Sequence, residues 1–299
     1  MLSLNKQQQL FVGIVFSMLM WGVSWPSAKV LSSYAPPLEI AFMRFAVTFL
    51  GVFVLLKSMK VPLGISTKGL PPLTLASAFM AFYSMLFFSG IKHGMPGAGG
   101  VLVTTTSPLV AFIYGSVIAK RKLSQKEIIG LCLGLLAGCF LLQVWSNDVQ
   151  LLKSGNLFFL ASTLVWTILS RFTAKSNQYG SALAFSLWMY LLCVFWLLFF
   201  VDLQHILVVL KQGDFKFYGN LLFNGVLNTG VATTIFFLAT SKLGAEKTSS
   251  FIYIVPFAAS ISSFLFLNEK IQWFTIVGGL LGLVAVWVIN SKRKPLKSN

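Results

Sequence analysis

Acidic side chains are what this chain has least of. Its 299 residues hold 7 Asp and Glu against 23 Lys and Arg, with 2 histidines and 3 cysteines. His93 and His205 fall far apart, in or beside expected outer loops, so no metal-ligand cluster can be assembled from them. No glycine-rich phosphate loop precedes a lysine and serine or threonine, which argues against ATP-driven work within this chain. Glu127, Asp148, Asp202, Asp214, Glu246 and Glu269 sit near the ends of apolar runs, and no embedded pair of carboxylates stands out as a proton carrier. Cys132, Cys139 and Cys193 all fall inside apolar runs, so free buried thiols are expected and a disulfide framework is not. No cofactor and no metal are called for.

What the chain does have is apolar surface. It is 57% hydrophobic and only 10% charged, more apolar area than a soluble domain of this length could cover. Its 29 Phe and 8 Trp suit lipid-facing and interfacial positions, which makes the lipid bilayer its expected surroundings. The formal charge of +16 invites a nucleic-acid partner, but the cations are scattered through short loops and form no basic face, so that reading is rejected. Residues 1–9 are polar, and the apolar run that follows has spanning length without a small-residue cleavage site. It is expected to stay in the protein.

Runs of about 20 apolar residues cross a bilayer as helices. Ten are predicted, at 10–30, 37–56, 71–91, 96–118, 125–143, 155–174, 182–201, 218–240, 246–267 and 272–290. The linkers are short; the largest, 57–70 and 202–217, are expected as loops. Sixteen of the 23 basic residues then share one side with both termini: Lys6, Lys57, Lys60, Lys68, Lys120, Arg121, Lys122, Lys126, Arg171, Lys175, Lys242, Lys247, Lys292, Arg293, Lys294 and Lys297. The positive-inside rule places that side in the cytoplasm.

The chain also repeats itself. Pro108 and Pro256, Lys122 and Lys270, Gly130 and Gly278, and Gly134 and Gly282 all stand 148 residues apart. The fold class predicted is therefore an all-α membrane protein, with ten transmembrane helices in two five-helix repeats, residues 1–146 and 147–299. Five is odd, so the repeats are inverted about an axis in the membrane plane, with a binding site between them.

Candidate site residues are the polar or bulky ones at mid-span. Trp21, Ser24 and Trp25 lie at helical spacing beside Pro26, and Trp166 occupies the matching place in the sixth span. Arg44 is the clearest signal. Seven residues into the second span it lies at most ~10 Å deep, where a charge costs ~2.5–3.5 kcal/mol and should face the bundle interior or water. A Lys29–Glu39–Arg44 cluster could attract or gate a charged substrate, or could be a structural ion pair. Thr104 and Thr105 precede Pro108 in the fourth span, and Tyr253 precedes Pro256 in the ninth. Thr105 and Tyr253 are repeat-equivalent. Tyr83 and Asn228 complete the expected cavity. Pro26, Pro108 and Pro256 are predicted hinges, because each removes a helix hydrogen bond. The glycines at 97, 99, 100, 130, 134 and 138 are expected to serve close helix packing.

The Trp21-Gly22-Val23-Ser24-Trp25 segment, the spacing of Pro37, Ile40 and Arg44, the two proline-broken spans and the Asn268-Glu269-Lys270-Ile271 turn together resemble the EamA-type branch of the drug/metabolite transporter superfamily over essentially the whole chain. The family usually has a glutamate in the first-repeat turn as well, where this chain has Arg121. The resemblance implies a ten-helix, two-repeat bundle with a central cavity that moves a small-molecule metabolite, such as an amino acid. The function expected is a secondary transporter of the cytoplasmic membrane, an exporter, working by alternating access. A coupling proton or ion is left open. The alternatives are an uptake carrier for a nucleotide-like or other small metabolite, a membrane enzyme, and a non-transporting assembly subunit.

Overall fold

A backbone in lipid must satisfy its own N–H and C=O groups, which leaves helices or closed barrels. In the computed structural model the described residues, 5–93, 96–142, 144–145, 154–267 and 273–291, answer with helices and contain no strand. The Asn268–Ile271 turn, Asp148, Lys153, the C-terminal cations from Lys292 onward and the side chains of residues 96–99 and of Ser260 lie outside the described residues.

Helix α1 covers Lys6–Leu31 and runs on through Pro26. It opens with a capping box: Asn5 Oδ1 accepts from the Gln8 N–H at 2.8 Å while Gln8 Oε1 accepts from the Asn5 N–H at 2.9 Å. Helix α2 (Pro37–Ser58) and α4 (Pro96–Ile118) both begin on proline, whose missing N–H is harmless in a first turn. Between them lies α3 (Leu70–His93), and after them α5 (Gln125–Leu142) and α6 (Ser154–Ala174). Among the described residues six apolar stretches are long enough to cross a membrane, Gln8–Leu31, Pro37–Ser58, Thr67–His93, Gly100–Ile118, Leu157–Gln178 and Phe215–Leu243, or seven if the bent pair Ala182–Leu198 and Leu203–Gln212 counts as one. The outer surface shows Val54, Leu136, Phe195, Leu265 and Trp287 to the surroundings, as a lipid-facing surface does. Cys132 belongs to this face. It is exposed and Cys139 half-buried, so of the three expected buried thiols only Cys193 is buried.

The second half departs from the sequence reading in three places. Helix α7 (Ala182–Leu198) stops short of the expected residue 201, and the chain turns by 112° into α8 (Leu203–Gln212), where a loop was expected. Asp202 caps α8 by accepting from the Gln204 and His205 N–H groups, and Ile206 and Val209 anchor its buried side. Ten residues with four polar side chains fall below the length that marks a span, so the apolar-run criterion passed over them. Next, α9 (Phe215–Leu222) continues through a π-helical segment, Phe223–Thr233, into α10 (Thr234–Leu243). Gly244, at φ +87°, then turns the chain into α11 (Ala245–Ser250). A 3₁₀ turn, Phe251–Ile254, separates α11 from α12 (Val255–Leu267), and α13 is Trp273–Asn290. Pro256 is thus the second residue of a restarted helix, whereas Pro108 lies inside the uninterrupted α4.

The helix pairings exchange between the halves. Helix α1 packs on α12 as α6 packs on α4, and α6 packs on α3 as α1 packs on the π segment and α10; α2 with α7 and α5 with α13 pair across the middle. The last pair is reciprocal to the residue. A Cβ on Gly130 would strike Ile289 and lie 3.2 Å from Ala285 O, while one on Gly278 would meet Leu141 at 2.7 Å and Ala137 O at 2.9 Å. Each contact maps onto the other under the 148-residue offset. Gly22 allows a second close approach, since a Cβ there would lie 2.5 Å from Ala258 Cβ and 2.7 Å from Ala259 N.

Candidate functional site

The centre of the bundle holds a cavity of about 60 Å³, room for a few water molecules. Of the predicted residues, Trp21, Ser24, Trp25, Arg44, Tyr83, Thr104, Trp166 and Asn228 come together on its wall. Thr105 and Tyr253 do not. Thr105 turns toward α5, where its Oγ1 would lie 2.7 Å from a Cβ on Gly138, and the Tyr253 ring fills the groove at Gly134. They stand 148 residues apart, and both pack against glycines, because α4 and the 3₁₀ turn present that side to α5 and α13.

Five aromatic rings, Trp21, Trp25, Tyr83, Phe87 and Trp166, stand on the wall. Trp166 stands edge to face with Trp21, lies 4.8 Å from Tyr83 between centroids, and stacks on Phe237 at 5.5 Å. Trp25 packs on Phe87 at 5.0 Å, and Gly100 lets α4 approach its ring to 3.3 Å from the would-be Cβ.

Arg44 enters this wall from α2. It is 5% exposed, donates from Nη2 to Ser84 Oγ at 2.6 Å, and lies over the rings of Phe45 and Phe88 at 4.8 and 5.1 Å. The expected Lys29–Glu39–Arg44 cluster is not formed. Glu39 Oε2 lies 2.6 Å from His205 Nδ1 on α8, and Lys29 is exposed. The helix missed in the sequence supplies the partner that takes Glu39 away, so among the described residues Arg44 has no carboxylate within 4.0 Å.

The opposite wall is the π segment. A π turn leaves carbonyls poorly served by the helix ladder and is frequent at functional sites. Here neighbouring hydroxyls take them up. Thr48 Oγ1 lies 2.8 Å from Gly225 O and 2.7 Å from Arg44 O, the Tyr190 hydroxyl donates to Thr229 O at 3.1 Å, and Thr233 Oγ1 donates to Asn228 O at 3.1 Å. Asn224, Asn228, Thr229 and Thr233 thereby face the cavity. Sequence reasoning missed Thr229 and Thr233. The one available signal is that Asn228 and Thr233 stand five residues apart, a π spacing. Among the described residues, four buried polar atoms of wall side chains have no partner: Arg44 Nε, Ser107 Oγ, Trp166 Nε1 and Asn228 Oδ1.

The two ends of the bundle differ. At the end that carries Lys6 and Ser291, Arg171 Nη2 pairs with Glu246 Oε1 at 2.9 Å, donates to Ala111 O at 3.2 Å and lies over the Tyr114 ring, tying α4, α6 and α11 together. Beside it opens a larger cavity, about 560 Å³, with Arg121, Lys122, Lys126, Glu127 and Lys247 on its wall. Phe251 lines this cavity and Ile252 the central one, so the 3₁₀ turn stands between the two. At the other end the Tyr34 hydroxyl donates to Asp214 Oδ1 at 2.8 Å. The Phe217 N–H and that hydroxyl hold the Asp214 carboxyl below its usual range.

The model of the EamA-like transporter family matches this chain twice, over residues 10–143 and 153–291. A Bacillus subtilis protein named "Uncharacterized transporter YoaV" is 26% identical over 91% of this chain and 94% of its own. A Salmonella typhimurium protein named "Probable amino-acid metabolite efflux pump" is 22% identical over 90% of this chain and 91% of its own. One solved crystal structure superposes on 93% of this chain and 96% of its own with a TM-score of 0.70 at 14% identity, a likeness of fold alone.

Proposed function

Because this chain belongs to the EamA-like transporter family, we propose that it is a secondary transporter exporting a small metabolite, an amino acid or a similar molecule, across the cytoplasmic membrane by alternating access. The family and the named relatives are transporters and not enzymes. The name of the Salmonella relative supports both the substrate class and the direction. The observation that carries the reading is the central cavity, which three tryptophans, a buried arginine and the π segment line together.

We read the bundle as ten spans in two inverted halves, 1–146 and 147–299. The double family match, the exchanged helix pairings and the reciprocal Gly130 and Gly278 contacts support it. With the basic loops inside, both termini and the Arg171–Glu246 pair are cytoplasmic, and α8 lies on the outer face. A 60 Å³ cavity is too small for a metabolite, so one end must open to load it. The elements suited to move are those with weakened backbone ladders: α1 at Pro26, α4 at Pro108, the 3₁₀ turn before Pro256 and the π segment.

The test is transport by purified protein in liposomes, with radiolabelled amino acids loaded inside and outside in turn. Protein-dependent movement of at least one of them supports the reading. Equal leakage with and without protein across the panel overturns the amino-acid assignment.

A further inference from the structure

Resting on that transport reading, we infer that the molecule carried bears a carboxylate, which Arg44 neutralises, together with a hydrogen-bond donor received by Asn228 Oδ1.

The charge of the cavity comes first. A guanidinium offers five N–H donors in a planar fork, and Arg44 has used one, on Ser84. The ion pairs among the described residues lie elsewhere, at Arg121–Glu127, Arg171–Glu246 and Glu39–His205, and none of the described acidic side chains lines the central cavity. Burying a cation without a counter-charge is costly, and the fork matches a carboxylate in shape as well as sign. The cavity wall is therefore short of one negative charge.

The unpartnered atoms give the rest of the pattern. Arg44 Nε and Trp166 Nε1 are donors, Ser107 Oγ can be either, and Asn228 Oδ1 is an acceptor only. They come from α2, α6, α4 and the π segment, so they surround the space. A solute with one carboxylate and one N–H or O–H serves them all. Its carbon skeleton would lie against Trp21, Trp25 and Tyr83. An amine without a carboxylate would bring a second positive charge into a cavity with no acid to receive it.

The experiment is a metabolite profile of medium and cells with and without the protein, followed by transport of each dependent compound and its primary amide in proteoliposomes. The amide keeps the size and skeleton and removes the charge. Carboxylate-bearing compounds should depend on the protein, and each amide should be carried roughly thirtyfold more slowly or worse. Arg44→Gln should abolish that discrimination, while Arg44→Lys, which keeps the charge, should retain part of it. If the dependent compounds are amines or neutral molecules, or if the amide is carried equally well, the inference fails and the transport reading stands. If no compound depends on the protein, the transport reading itself fails and takes the inference with it.

Discussion

Trp21 and Trp166 meet edge to face at the centre of the bundle, ring centroids 5.3 Å apart and planes at 81°. They come from α1 and α6, and their polar edges differ. The Trp21 N–H donates to Thr233 Oγ1 at 3.2 Å, whereas the Trp166 N–H has no partner. Trp166→Phe should lower transport while leaving the unfolding midpoint close to wild type. Trp21→Phe should lower both, since a lost buried hydrogen bond costs about 1 kcal/mol. Equal midpoints for the two variants would contradict this.

Arg44 should separate function from folding. Among the described residues Arg44 is the one charged side chain on the cavity wall, and Arg44→Ala removes it without orphaning a carboxylate, so the protein should still accumulate and run as a single species by size exclusion. Its transport of carboxylate-bearing compounds should fall to the slow rate of their amides. Arg44→Lys should recover a fraction, because an ammonium keeps the charge but not the fork. Failure of Arg44→Ala to accumulate would assign the residue to packing against Ser84, Phe45 and Phe88.

Gly22 sets the crossing of α1 and α12. The added methyl in Gly22→Ala would meet Ala258 and the Ala259 N–H side of the backbone, which cannot yield as a flexible side chain does. Overpacking of this kind costs about 1–3 kcal/mol, and a clear drop in the unfolding midpoint is expected. Gly219→Ala, where a Cβ meets nothing within 4 Å, is the control and should be neutral.

The orientation is open to cysteine labelling in a background lacking Cys132, Cys139 and Cys193. Lys122→Cys should be protected from a membrane-impermeant reagent in intact cells and Gln212→Cys modified. Modification of both from the same side would rule out the ten-span reading.

The two prolines should act differently in degree and oppositely in direction. Pro108 interrupts the ladder within α4, so Pro108→Ala should stiffen that helix and slow transport more than it weakens binding. Pro256 stands in the first turn of α12, where its missing N–H costs little, so Pro256→Ala must act by extending α12 back into the 3₁₀ turn. Cysteine accessibility at each mouth should shift toward opposite faces in the two variants. Wild-type transport rates with unchanged labelling in both would reduce the prolines to packing features.

Much of the cavity was legible before any coordinates. In so apolar a chain, Arg44 and Asn228 are exceptions, and a polar group inside a membrane helix has few places to go other than the bundle interior; Trp21 and Trp166 are marked instead by their matching places in the first and sixth apolar runs. The helix starts at Asn5, Pro37 and Pro96 are equally local. So is the 148-residue echo that pairs Gly130 with Gly278.

The rest was decided by rotation and by neighbours. Thr105 and Thr104 are adjacent in sequence and differ by about 100° around a helix, so one faces the cavity and the other Gly138, and only the packing of α5 decides which. Glu39 is close to Arg44 in the chain, yet His205, 166 residues away, holds it. That partner exists because α7 breaks at Asp202 and lays α8 across the end of the bundle. The π segment is held by Thr48 from α2 and Tyr190 from α7, groups that no local pattern connects to it. Sequence alone determined which residues are too polar for lipid and therefore turn inward. Which of them meet, and which are left without a partner, depends on the phase and spacing of helices fixed by contacts between residues tens to hundreds apart in the chain.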